Sequence, residues 1–159
     1  MGNQSVQKNL MREVSVEIEI SASASSVWQV LTDFARYPEW NPFVRSVSGE
    51  LVNGGELSVT TASLLGIQLN FQLKVDRIHE NYGMRWLGQT IKPGLLDGRH
   101  YFEIHELSPD RVRFVQYEEF SGTMVPLAWP VLAPLSRRGF ESMNKALKER
   151  VEQGLIEVT

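Results

Sequence analysis

The chain has 159 residues, enough for one domain with a substantial core, and its 42% hydrophobic and 22% charged residues are ordinary globular usage rather than a disordered composition. Its 16 basic and 19 acidic residues are interspersed and sum to a formal net charge of -3, so no basic block offers a footprint for nucleic acid or anionic lipid. Cysteine is absent, which excludes disulfides, thiolate catalysis and cysteine-ligated metal and agrees with a reducing, cytoplasmic setting.

In chain order, residues 1–12 read as a flexible polar lead-in without the apolar core of a signal peptide. Gly2 follows Met1, but Val6 stands where a myristoylation pattern needs Ser or Thr. No run approaches the ~20 apolar residues of a membrane span, so a soluble protein without membrane insertion is expected. Residues 13–155 read as a single domain. Val14, Val16, Ile18 and Ile20 alternate with polar residues and predict a half-buried strand. Ser23 is a good N-cap, and Val27, Leu31 and Phe34 follow at helical spacing, which predicts a short helix over 24–32. Asp33 to Trp40 reads as a second short helical turn, stopped by Pro38 and then Pro42.

Six more strands follow. Phe43–Glu50 leads to a turn at Asn53-Gly54-Gly55, and Leu57, Val59 and Thr61 share one face of the next strand. Ile67, Leu69, Phe71, Leu73 and Val75 alternate with polar residues most regularly. Asn81-Tyr82-Gly83 turns into Met84–Thr90, and Pro93-Gly94 marks a loop. Leu96–Leu107 and Val112–Phe120 then pair as a hairpin across Ser108-Pro109-Asp110. From about Pro130 to Gln153, the residues Leu132, Leu135, Gly139, Met143, Leu147 and Val151 recur at helical spacing and predict one long amphipathic helix. Met124 to Pro134, with its three prolines, reads as a lid-like loop or a rigid connector before that helix. Consecutive strands with segregated helices argue α+β architecture: a curved seven-stranded antiparallel sheet wrapped around the C-terminal helix, with two short helices after the first strand.

The segment Val27-Trp28 through Asp33-Phe34 and Tyr37-Pro38-Glu39-Trp40-Asn41-Pro42-Phe43 resembles the START-like, Bet v 1-like superfamily. More narrowly it resembles the SRPBCC proteins of polyketide cyclase/dehydrase type. Pro93-Gly94-Leu95-Leu96-Asp97-Gly98-Arg99-His100 and Glu119-Phe120-Ser121-Gly122 with Val125-Pro126-Leu127 are similar to further parts of that pattern, and the resemblance covers roughly 14 to 152. It implies a helix-grip fold with an internal cavity. It does not select among lipid carriers, ubiquinone-binding factors, cochaperone-like modules and aromatase/cyclases.

Strand parity says what such a cavity would contain. Gly98, His100, Phe102 and Ile104 share one face, and Phe114, Gln116, Glu118 and Phe120 share the facing one. A three-residue connection therefore sets His100 opposite Glu118. That pair is the candidate acid-base couple; the alternative is a carboxylate that merely satisfies a buried imidazole. Val59, Leu69, Phe71, Leu73, Trp86, Phe102 and Gln116 on inward strand positions, and Leu135 and Met143 on the apolar stripe of the final helix, are ligand-binding candidates. Arg45 shares parity with Phe43 and Val47, so it either reaches inward or snorkels to solvent. Trp40 and Asn41 either line a mouth of the cavity at the bend before Pro42 or plug the core, and Trp129 is placed to gate the helix start. Gly139 implies either close helix–strand approach or room for a ligand. His105 falls on the outward parity and His79 at a strand end, so no protein metal site and no cofactor are expected.

The reading that follows is a module that binds or carries a small hydrophobic ligand (lipid, isoprenoid or polyketide-like), as a monomer or weak homodimer. Its rivals are a cyclase/aromatase-type enzyme using the few polar cavity groups and a protein-interaction module with a collapsed cavity.

Overall fold

The computed structural model describes residues 11–62, 67–89 and 92–157. Residues 1–10 of the expected lead-in and Thr90 of the expected fifth strand lie outside them. Strand β1 (Arg12–Ile20) buries Val14, Val16 and Ile20 on one face, as alternation requires. Helix α1 (Ala24–Thr32) starts where expected, with the Ser23 hydroxyl accepting the Ser26 N–H at 3.1 Å. A 3-10 turn (Phe34–Arg36) leads into a one-turn helix α2 (Tyr37–Trp40).

Pro38 does not stop this turn. It sits in the first turn of α2, where its missing N–H has no helical partner to lose. Tyr37 is fully buried and donates its hydroxyl to Leu31 O at 2.6 Å, tying α2 to α1, and burial pushes its phenol above the usual range.

The strands are β2 (Val44–Gly49), β3 (Glu56–Thr61), β4 (Asn70–His79), β5 (Gly83–Gln89), β6 (Asp97–Ser108) and β7 (Arg111–Ser121). All pair antiparallel in the order β1-β7-β6-β5-β4-β3-β2, so the two short helices carry the chain from one sheet edge to the other. The β6–β7 register sets Ile104 opposite Phe114, Phe102 opposite Gln116 and His100 opposite Glu118. Regular β4 begins at Asn70 rather than Ile67, and Ile67 and Leu69 are exposed.

The C-terminal helix departs most from expectation. Helix α3 spans Val125–Glu157, so the segment read as a loop is its first turns, and Trp129 lies inside it. Pro126, Pro130 and Pro134 recur every four residues and are all exposed. Pro126 is in the first turn. Pro130 and Pro134 withdraw bonds only from carbonyls four residues back on the same outward line, where water can take them. The opposite face buries Phe140, Met143, Leu147 and Val151.

Near its C-terminal end, α3 is pinned to β1. Lys148 Nζ donates to Glu19 O at 2.8 Å and to Glu152 Oε1 at 2.7 Å, while Glu152 accepts the Ser21 N–H at 2.8 Å. Burial raises the Glu152 carboxyl, but the bonds from Lys148 and Ser21 outweigh it and hold the group below the usual range.

Helix α3 packs on β1, β7 and α1. Two apolar cores result. One joins α1, α2 and all seven strands with Met143, Leu147 and Val151; the other joins Val14, Val16 and Phe120 with Val125 and Phe140. Half-buried Phe43 touches both. Between them, over the middle strands, the helix and the sheet stand apart.

Candidate functional site

The gap is a cavity of about 470 Å³. Its sheet wall is built from alternate residues: Val59 and Thr61 on β3, Phe71 and Leu73 on β4, Trp86 and Gly88 on β5, Gly98, His100 and Phe102 on β6, Glu118 and Phe120 on β7. Leu132, Leu135, Ser136, Arg138, Gly139, Phe140 and Ser142 of α3 close it, and Pro42, Phe43, Leu69, Leu96 and Asp97 complete the rim. Ionisable groups are few: Asp97, His100, Glu118 and Arg138.

Of the residues singled out in the sequence, Phe43, Val59, Leu69, Phe71, Leu73, Trp86, His100, Phe102, Glu118, Leu135 and Gly139 line the cavity. Six others are placed elsewhere. Trp40 packs edge-to-face on Tyr37, ring centroids 5.0 Å apart, as a core plug. Asn41 is fully buried, and its Oδ1 accepts the N–H groups of Phe43 and Val44 at 3.0 and 2.8 Å, the bonds that turn the chain into β2. Arg45 does not follow the parity of Phe43 and Val47. A bulge between Val44 and Ser46 breaks that parity, Val44 points inward instead, and Arg45 lies outside with its guanidinium on Asn41 O at 3.2 Å.

Gln116 and Met143 are inward but wholly buried behind the cavity wall, where the Gln116 amide nitrogen reaches the Met143 sulfur at 3.5 Å. Trp129 sits edge-to-face on Phe120 at 6.1 Å under the Arg12 guanidinium rather than over the cavity. The bare Cα of Gly139 is explained by close approach. A Cβ there would stand 2.4 Å from the ring of Phe43, which occupies the missing side chain's place.

His100 is the most constrained polar residue of the site. Its ring is stacked on Phe102 at 4.4 Å and meets Phe140 edge-on at 4.7 Å. The Gln116 amide nitrogen lies 2.9 Å from His100 Nε2. The other ring nitrogen, Nδ1, faces Glu118 Oε2 at 3.4 Å. That separation is longer than a good hydrogen bond. The direct partner is therefore Gln116, the diagonal neighbour on β7, which parity alone had set opposite Phe102.

Glu118 lies over Gly98, where a Cβ would meet its Oε1 at 2.4 Å, so the glycine makes room for the carboxylate. His100 and Glu118 keep 13% and 20% of their side-chain surface exposed, so both reach the cavity. Asp97 at the rim accepts the Gly94 N–H at 2.8 Å and holds the loop before β6 closed. Among the described residues no group of His, Asp and Glu is arranged to hold a metal.

Several lining residues were not singled out. Phe140 and Ser136 flank Gly139 on α3 at i+1 and i-3, a turn away from the stripe the spacing emphasised. Arg138 reads as an ordinary surface cation and is exposed, yet it lies on the cavity rim.

If His100 and Glu118 interact as placed, their removal is non-additive. The single variants His100→Gln and Glu118→Gln and the double variant, compared by urea unfolding, are expected to show a coupling above ~0.5 kcal/mol. Additive changes would remove the pairing.

A curled antiparallel sheet closed by a C-terminal helix over an apolar cavity defines a helix-grip domain of the START-like, Bet v 1-like class. The chain belongs to the polyketide cyclase / dehydrase and lipid transport family, whose model matches residues 11–152.

Among solved structures it is similar to a START superfamily protein from Mycobacterium smegmatis, at 25% identity and a TM-score of 0.72 over 89% of this chain and 97% of that one. The Zhui aromatase/cyclase of a Streptomyces strain superimposes with a TM-score of 0.76 at 18% identity, covering 91% of this chain and 96% of that one. A norcoclaurine synthase from Thalictrum does so at 0.69 and 14%, covering 91% and 97%. No curated protein matches the sequence. No helix among the described residues is long and apolar enough to cross a membrane.

Proposed function

We propose that the chain binds a small, largely apolar molecule between sheet and helix. The observation that carries this reading is the open cavity of about 470 Å³, within the range of small-molecule sites and walled mainly by Val, Leu, Phe and Trp. The cavity is not collapsed, which weighs against the interaction-module alternative. The family's description includes lipid transport, and two of the similar structures are an aromatase/cyclase and a norcoclaurine synthase. An isoprenoid, acyl or fused-ring ligand fits that company.

The enzymatic alternative rests on His100 and Glu118. Both ring nitrogens of His100 are occupied or faced by protein groups, Nε2 by Gln116 and Nδ1 by Glu118. A ligand proton therefore has to pass through Glu118, with His100 as its positioning residue. Glu118 is the one member of the set free to act on a bound molecule.

An uncharged apolar fluorophore such as Nile red is expected to bind the purified chain at tens of micromolar or tighter, about -6 kcal/mol. Gly139→Leu, which pushes the Phe43 ring into the cavity, is expected to weaken it at least tenfold. No binding to the folded parent, or equal binding to both proteins, would overturn the reading. Native mass spectrometry of the chain from its own host then identifies what it carries.

A further inference from the structure

On the face of the sheet opposite the cavity, outward side chains of four strands form one row. Arg77 of β4 stands opposite Arg85 of β5, Arg85 opposite Tyr101 of β6, and Tyr101 opposite Tyr117 of β7. Simple alternation from the buried Val75 would turn Arg77 into the core. The bulge between Val75 and Arg77 turns both Asp76 and Arg77 outward instead.

The result is two guanidiniums directly opposite one another, an arrangement that is destabilising unless something negative offsets it. Asp76 does so for Arg85, with which it forms an ion pair, and Arg85 also lies over the Tyr101 ring at 5.5 Å. Arg77 is exposed and has no ion pair among the described residues.

Arg77, Arg85, Tyr101 and Tyr117 line a groove of about 390 Å³. Its one carboxylate, Glu103, is already committed at both oxygens. Oε1 accepts the Tyr117 hydroxyl at 2.9 Å, and Oε2 lies 2.9 Å from His105 Nε2. Burial, reinforced by that bond to Glu103, pushes the Tyr117 phenol up, so it stays a donor. Lys74 and Arg99 lie on neighbouring outward positions of β4 and β6. Each of these two faces a carboxylate on the next strand, Glu56 opposite Lys74 and Glu119 opposite Arg99, whereas Arg77 faces a second cation, Arg85. In the same groove as Arg77, His79 and Tyr82 stack at 4.5 Å and 19°, and Tyr82 is 62% exposed, a flat aromatic pair at the surface.

We propose that this groove is a second ligand site, separate from the cavity, for a planar aromatic ring carrying an oxyanion, a phosphate or a carboxylate. Arg77 holds the anion, with the screened Arg85 beside it, and the ring stacks on the His79–Tyr82 pair. Nothing in this assignment depends on what fills the cavity.

The test is an amide NMR titration of the ¹⁵N-labelled full chain at low salt with phenyl phosphate, benzoate, inorganic phosphate and phenol. Phenyl phosphate is expected to shift the backbone signals of Arg77, His79, Tyr82 and Arg85 and to saturate at about millimolar concentration. Benzoate is expected to reproduce the pattern more weakly, since it carries less charge. Arg77→Gln is expected to weaken phenyl phosphate at least tenfold. Tyr82→Ala is expected to weaken it several-fold while leaving inorganic phosphate unaffected. Both side chains are exposed, so neither change threatens the fold, and Nile red binding in the cavity serves as the check. Absence of saturable shifts, shifts confined to cavity residues, or an unchanged Arg77→Gln titration would overturn the site. Equal affinity for inorganic and phenyl phosphate, or a strong response to phenol, would overturn its aromatic-anion character.

Discussion

Leu147→Asp is expected to leave the chain unfolded at ambient temperature. Leu147 is fully buried on α3 in the larger core, among side chains of α1 and the sheet. An aspartate there loses the apolar burial of the leucine, about 2–5 kcal/mol for such a truncation. It also places a carboxylate where no cation can reach it, at a further cost of several kcal/mol even after the group takes up a proton. A domain of this size has only about 5–15 kcal/mol to lose. Circular dichroism during thermal melting decides the matter: a cooperative transition near the parent's would refute this placement of the helix. Glu141→Lys on the exposed side of α3 is the control and is expected to change stability by less than ~0.5 kcal/mol. Lys148 is unsuited to that purpose, because its ammonium holds Glu19 O and Glu152.

Phe102→Ala is expected to lower stability by about 3–5 kcal/mol and to change what the cavity accepts. The ring is fully buried, stacked on His100 at 4.4 Å and set edge-on against Trp86 at 4.8 Å. Removing it deletes both contacts and opens new volume at the inner wall, directly behind the existing cavity. Urea unfolding measures the first effect. The second is read by comparing small and bulky uncharged fluorophores: the parent prefers the smaller, and the variant shifts toward the bulkier. A stability loss below about 1 kcal/mol would mean that Phe102 packs loosely. An unchanged size preference would mean that the ligand lies elsewhere in the cavity.

Most of the fold and part of the site were legible in the residue pattern, because both depend on short-range periodicity. Alternation in β1, β6 and β7, the Ser23 cap and the turn residues at Asn53-Gly54-Gly55 and Asn81-Tyr82-Gly83 each act within a few residues. The hairpin register followed from parity and connection length. It correctly brought His100 and Glu118 together on the cavity side.

Three features escaped for three physical reasons. The placement of Arg45, inward or at the surface, is decided by a bulge that changes parity without leaving a mark in composition, and the same device turns Arg77 outward on β4. The start of α3 was misplaced because proline is read as a breaker. Three prolines on one exposed line withdraw bonds only from carbonyls that water can satisfy. Gln116 was missed as the partner of His100 because diagonal contacts depend on side-chain rotamers, which alternation does not encode.

Side-chain spacing dictates the element order, the faces of the strands and the apolar stripe of the final helix, all local properties of the chain. The tertiary structure alone decided that a cavity exists at all. Its volume is the difference between how far the sheet curls and how closely α3 approaches it. That difference is set jointly by the packing of α3 on β1 and β7, the Phe43 ring seated on Gly139 and the meeting of two separate cores, contacts that no local spacing encodes.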